Sequence, residues 1–229
     1  MTIEVIGLDG DDTLWRNEDY FAVSQDMFHE LVAPYANGDV DLDERLSQTE
    51  RANLELFGYG IKGFTLSMIE TAIEVTAGRI PTSGIQALLE RGKEMLHHPV
   101  ELLDGVGEAV AELAASHRLV LITKGDLIHQ EQKVARSGLA ELFDHVEIVA
   151  EKDEGTYQRI LERHGISAAG FVMAGNSVRS DVLPVLAIGG RAVHIPYERT
   201  WEHEHAEHDG SVPTLASLGE LPAWVAANG

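Results

Sequence analysis

Apolar residues fall along this chain in two rhythms. The first is a short unbroken run that ends in a polar or glycine-containing corner: VIGL before Asp9, LVLI before Thr123, VEIVA before Glu151, FVMAG before Asn176 and AVHI before Pro196. Short apolar runs bounded by turn signals are the pattern of strands buried on both faces. Segments of helical spacing separate them. Val106, Val110, Leu113 and Ala114 recur within GVGEAVAELAAS, and a segment opening at Leu127 closes on Gly138 as a left-handed C-cap. Tyr157, Ile160, Leu161 and His164 stack ahead of Gly165, and SVRSDVLPVLAIGG starts on Ser177 as N-cap and stops at Gly189 and Gly190. Strands alternating with helices predict an α/β protein with a Rossmann-like, doubly wound parallel sheet.

The second rhythm fills residues 16–97, where no run reads as a strand. Leu46, Leu54 and Leu56 belong to one amphipathic stretch, Leu66, Ile69, Ile73 and Val75 to another, and Ile85, Leu88, Leu89 and Met95 to a third. Gly58, Gly60, Gly63, Gly78 and Pro81 punctuate them. The expectation is a helical insertion at 16–97 within a core built from 1–15 and 98–229. There is no internal repeat, and WEHEHAEHDG is the one locally biased stretch.

With 229 residues, 44% of them hydrophobic, the chain can bury a substantial core. Its 38 acidic residues against 17 basic ones give a net charge of −21, which repels a nucleic-acid polymer or an anionic membrane surface. A small anion is still admissible, because one lysine or a bound cation reverses the potential inside a cleft. The absence of cysteine excludes disulfides, thiolate metal sites and thiol nucleophiles. The opening MTIEVIGLDG lacks the basic and apolar regions of a leader, and no apolar run reaches membrane-spanning length, so the expected location is cytoplasmic.

These patterns give the charges a context. In a doubly wound sheet the ligand crevice lies outside the carboxyl ends of the strands. Asp9, Asp11, Thr123, Lys152 and the GNSVRSD segment all fall just past predicted strands. Crowded carboxylates stay ionised together only beside a cation, and oxygen donors select a hard one such as Mg²⁺. Asp181 can add an oxygen and Lys152 a fixed positive charge. The i, i+2 spacing of Asp9 and Asp11 on an extended strand exit is expected to turn both side chains to one face.

DGDDTLW, LITKG, Lys152 and GNSVRSD, in that order, resemble the four motifs of the haloacid dehalogenase superfamily. The resemblance runs over almost the whole chain. It includes a helical type I cap inserted between the first two motifs and, in PVELLDGV from Pro99 to Val106, the re-entry into the core. It implies hydrolysis of a small phosphorylated metabolite. Asp9 would attack phosphorus and form an aspartyl-phosphate, while Asp11 would protonate the leaving oxygen and later deprotonate water. Mg²⁺ would be held by the Asp9 carboxylate, the Asp11 backbone carbonyl and the Asp181 carboxylate, with Asn176 binding through a water. Thr123 and a backbone N–H near Lys124 would hold phosphate oxygens, and Lys152 would offset charge. The superfamily's dehalogenases generally lack an aspartate at the position of Asp11, so its presence favours phosphate over haloacid chemistry. Three positions depart from the pattern: Asp12 stands where Gly is common, Asp153 where Pro is common, and Asn176 where many members carry an acid.

Other readings compete at each position. An aspartate after a strand is ordinarily a turn or cap residue, which is how Asp12 reads. Lys124 rivals Lys152 as the fixed charge. His203, His205 and His208 read as a solvated loop rather than a zinc site. Asn17, Glu18, Tyr20, Phe21 and the segment 58–64, GYGIKGF, are expected to border the cleft, with Lys62 either exposed or facing a second anionic group. A phosphomutase on the same fold is the nearest alternative. A phospho-acceptor receiver domain would be shorter, and a nucleotide-dependent oxidoreductase would need a glycine-rich turn where DGDDTLW stands.

Overall fold

The computed structural model describes residues 2–199, 210 and 212–229, so the histidine-rich loop with His203, His205 and His208 lies outside the described residues. The chain divides into two compact units, Met1–Glu18 with Val100–Gly229, and Asp19–Pro99.

The first unit holds a five-stranded, wholly parallel sheet. In chain order, β1 is Val5–Leu8, β2 Arg118–Lys124, β3 His145–Val149, β4 Phe171–Gly175 and β5 Arg191–His194, and they lie side by side as β3-β2-β1-β4-β5. Each strand run of the sequence therefore forms a strand. Alternation along the strands makes two cores. Ile6, Leu8, Leu119, Leu121, Val172 and Ala174 face one side of the sheet, while Val5, Val120, Ile122, Phe171 and Met173 face the other. Because both faces are covered, the strands carry apolar residues at odd and even positions alike, which is why they read as continuous runs. The chain's helices include α1 Glu18–Val32, α2 Leu42–Phe57, α3 Ile61–Val75, α4 Thr82–His97, α5 Val106–Ala114, α6 Leu127–Arg136, α7 Glu154–Arg163, α8 Leu183–Ala187 and α9 Leu221–Asn228. Of these, α5 and α9 pack on the first face, and α7 and α8 on the second. The strand order reverses at β1, so the crevice of such a sheet opens beside the carboxyl ends of β1 and β4.

The second unit is helical and has its own core, built around Phe28, Leu46, Phe64, Met68, Ala72 and Leu88. Its helix α1 was not marked by the apolar rhythm. Its inward face is interrupted by Ser24, whose hydroxyl satisfies itself on the Tyr20 carbonyl at 2.7 Å. The sequence also misplaces several side chains: Leu56, Leu66, Ile73 and Leu89 are exposed. Small and polar residues, Thr49 and Asn53 on α2 and Thr65 and Ser67 on α3, take the inward positions instead, because the helices approach closely there. The segment 58–64 is not a free loop, since only 58–60 turns and Ile61 already starts α3, with Ile61 and Phe64 buried and Lys62 exposed.

Candidate active site

Strand β1 ends at Leu8, but the Asp9 N–H still donates to Ala174 of β4 at 3.0 Å, fixing Asp9 at the strand's mouth. The chain then turns sharply, and the Gly10 carbonyl accepts from Leu14 N–H at 2.8 Å. Gly10 is required by close approach: a Cβ there would sit 2.8 Å from the Trp15 ring and 3.1 Å from Thr123 Oγ1. Asp12 adopts φ +61, a left-handed conformation in which aspartate is among the tolerated residues, and its carboxylate accepts the N–H groups of Asn17 and Glu18 at 2.9 and 3.0 Å. Its role as a turn residue is thereby accounted for.

Four elements converge on Asp9. Lys152 follows β3, and its ammonium donates to Asp9 Oδ1 at 2.5 Å and to Asp181 Oδ1 at 2.7 Å. Thr13 donates its hydroxyl to Asp9 Oδ2 at 3.0 Å and accepts the Asn176 N–H at 3.1 Å. Asp181 is carried by a single π-helical turn, Val178–Val182, begun by Ser177, whose hydroxyl accepts Ser180 N–H. The Ser177 N–H donates to Asp181 Oδ2 at 3.0 Å. Gly175 makes room for this, since a Cβ there would meet Asp181 Oδ2 at 2.3 Å.

All three charges are buried: Asp9 is 6% exposed, Lys152 4% and Asp181 1%. One ammonium between two carboxylates leaves a negative charge over. Burial pushes the Asp9 carboxyl up to about 7, Lys152 opposing it and the Asp181 charge adding to it. Burial works against the Lys152 ammonium, but Asp181 and Asp9 outweigh it and hold it well above the usual lysine range. A divalent, oxygen-seeking cation fits this donor set. Mg²⁺ commonly takes one or two carboxylates and completes its octahedron with carbonyls and waters, so the two carboxylates gathered here suffice.

Thr123, at the end of β2, is fully buried, and its hydroxyl has no hydrogen-bond partner among the described residues. Such a group costs free energy unless something arrives to use it. Lys124, next along the strand, has Ser180 Oγ at 3.2 Å and Glu151 Oε1 at 3.5 Å among its partners. Of the two candidate lysines, the structure puts Lys152 at Asp9.

Asp11 has partners of its own, and the hydrogen bonds given for the two carboxylates share no donor. Asp11 Oδ1 accepts from Lys133 Nζ at 2.6 Å and Trp15 Nε1 at 2.5 Å, and Oδ2 accepts from Gln130 Nε2 at 2.8 Å. Burial opposes charge on Asp11, yet Lys133, with its own hydrogen bond and those of Gln130 and Trp15, holds the carboxyl below the usual range. Gln130 and Lys133 went unnoticed in the sequence. The available signal was two polar residues one turn apart beside the core residue Val134 on an amphipathic helix.

Comparison with known proteins agrees with the fold. A model of the family described as haloacid dehalogenase-like hydrolase matches residues 3–189. A haloacid dehalogenase-like hydrolase from Xanthomonas campestris is 47% identical, with a TM-score of 0.88 over 99% of this chain and 91% of its own. A 2-haloacid dehalogenase from Pseudomonas syringae is similar in fold at 22% identity and TM-score 0.66, over 100% of each chain. So is a predicted phosphoglycolate phosphatase from Haemophilus somnus, at 13% identity and TM-score 0.64 over 97% of each. No curated protein matches the chain.

Proposed function

The chain belongs to the haloacid dehalogenase-like hydrolases, and we propose that within this family it is a Mg²⁺-dependent phosphomonoesterase acting on a small phosphorylated metabolite. The observation that carries the proposal is the pairing of two buried carboxylates on Lys152, together with a Thr123 hydroxyl that has no partner among the described residues and lies 3.1 Å from where a Cβ on Gly10, the neighbour of Asp9, would stand, and a second aspartate two residues on from Asp9. A haloacid substrate needs a nucleophile but no proton for its halide leaving group. A phosphate ester needs one for its alkoxide, and Asp11 supplies a group able to carry it.

In this reading an Asp9 oxygen attacks phosphorus, the P–O ester bond breaks, and its electron pair goes to the leaving oxygen, which takes a proton that Asp11 must have gained on substrate binding, because here both of its oxygens accept from N–H donors. Asp11, now a carboxylate, takes a proton from water as the water oxygen attacks phosphorus and the bond to Asp9 breaks, returning Asp9 and free phosphate. Thr123 donates to a phosphoryl oxygen, and Lys152 offsets charge as the phosphoryl group approaches two buried carboxylates. The Asp9 and Asp181 carboxylates and the Asp11 backbone carbonyl would hold Mg²⁺, which supplies the larger part of that neutralisation.

The test is phosphate release from p-nitrophenyl phosphate and a panel of sugar phosphates, nucleotides and phosphoacids, with Mg²⁺ and then with EDTA. Mg²⁺-dependent release that vanishes in Asp9→Asn is expected. Chloride release from 2-chloropropionate in place of phosphate release would overturn the proposal, and a long-lived acyl-phosphate without free phosphate would point to a mutase.

A further inference from the structure

Lys133 is a lysine buried to 9% exposure in the last turn of α6, and the reaction just described makes no use of it. Burying an ammonium is costly unless it is paired and hydrogen-bonded. Its partners are specific: Nζ lies 2.6 Å from Asp11 Oδ1 and 2.9 Å from Asn17 Oδ1. Gln130, one turn earlier on the same helix, joins Asp11 Oδ2 to the Lys124 carbonyl, at 2.8 and 2.9 Å, and so ties the carboxylate to the end of β2. Trp15 closes the third side through Nε1 and is itself 1% exposed. Both oxygens of Asp11 are thus held by three donors from two separate stretches of chain.

The arrangement is local in origin. Asp126 caps α6 by accepting His129 N–H at 3.0 Å, which fixes where the helix starts and hence which residues look back at the loop after β1. Asp11 is on that loop, beyond the end of the strand, so no sheet hydrogen bonding orients its side chain. A short carboxylate on a turn has several rotamers open to it, and the α6 donors select one.

We propose that Lys133 is the positioning residue for Asp11: with Gln130, it holds the acid–base carboxyl in the one orientation from which it serves the leaving oxygen. The assignment rests on the phosphomonoesterase reading above. Misplacement of a catalytic group by about 1 Å can cost on the order of 100-fold. The cost should fall where the proton matters. An alkyl phosphate has a poor leaving group and depends on Asp11, whereas p-nitrophenolate leaves without protonation.

The experiment compares wild type, Lys133→Met, Lys133→Arg and Asn17→Ala on p-nitrophenyl phosphate and on whichever alkyl phosphate the wild type turns over best, with circular dichroism to check folding. Lys133→Met should lower kcat on the alkyl phosphate by about 10- to 100-fold. On p-nitrophenyl phosphate the initial burst of p-nitrophenolate should slow by no more than about threefold, because that first step needs no proton, whereas the later hydrolysis of the acyl-phosphate uses Asp11 with either substrate. Lys133→Arg should recover part of the difference. Asn17→Ala, which removes only the second anchor of the ammonium, should show the same bias more weakly, and it decides the matter if Lys133→Met does not fold. An equal loss in the p-nitrophenolate burst and on the alkyl phosphate, or no loss in either, would overturn the role of Lys133 while leaving the phosphomonoesterase reading intact. A wild type that releases phosphate from neither substrate removes that reading and this one together.

Discussion

Asp9 and Asp11 are two residues apart, yet they sit in opposite electrostatic surroundings. Around Asp9, two buried carboxylates share one lysine, and burial pushes the Asp9 carboxyl up to about 7. Around Asp11, one carboxylate receives three N–H donors including an ammonium, and its carboxyl is pushed down. The first corner is short of positive charge and suits a bound cation. The second is already satisfied within the protein. The two aspartates thus differ in environment and not in residue type.

The sharpest break in this contrast is Asp9→Asn, which should reduce phosphate release by at least about 10⁴-fold while leaving the fold intact, because no other group can form the acyl-phosphate. Retained release would sink the mechanism. Next comes Lys152→Met. Removing one partner from a buried ionic cluster costs about 3–5 kcal/mol, so the urea midpoint should fall steeply, and added Mg²⁺ should recover part of the loss by replacing the missing charge. If Mg²⁺ leaves the variant's midpoint unmoved, the Asp9 corner is not a cation site. Gly175→Ala places a methyl 2.3 Å from Asp181 Oδ2. It should cost about 1–3 kcal/mol and raise the Mg²⁺ concentration needed for half-maximal release, since Asp181 must give way.

A further contrast concerns Asp12, next to Asp11 in the chain. Burial, with the Asp11 charge adding to it, pushes its carboxyl up to about 8 from 3.8. A group whose pKa is higher folded than unfolded contributes its stability below the unfolded value and loses it as pH rises through the folded one. Wild type should therefore lose stability between about pH 4 and 8 on this account. Asp12→Asn, which keeps an acceptor for Asn17 and Glu18 and tolerates positive φ, should gain relative to wild type over that window. Unfolding curves at several pH values would show it, and a difference independent of pH would contradict it.

Much of the sheet unit was legible because its signals are local. Continuous apolar runs marked every strand, and glycines such as Gly138 and Gly165, both at positive φ, marked where helices stop. The helical unit was less legible. Leu56 and Ile73 repeat at the spacing of an inward face but lie outward, and Ser24 interrupts α1's buried stripe, because close helix approach favours small side chains over large ones. Polar helix residues such as Gln130 and Lys133 carry only a faint local mark, since their contacts exist only opposite Asp11.

By itself, then, the sequence determined which residues end strands, and so that Asp9, Thr123, Lys152 and Asp181 would gather at one edge of a parallel sheet. Side-chain period and turn chemistry are properties of the local chain, and they suffice for that much. Which carboxylate meets which ammonium was decided only in three dimensions. Lys152 and Asp181 reach Asp9 from 143 and 172 residues away, and Lys133 reaches Asp11 from 122. Charge pairing over a few ångströms depends on where the strand stops and where a helix is capped, and neither distance is written in the spacing of residues along the chain.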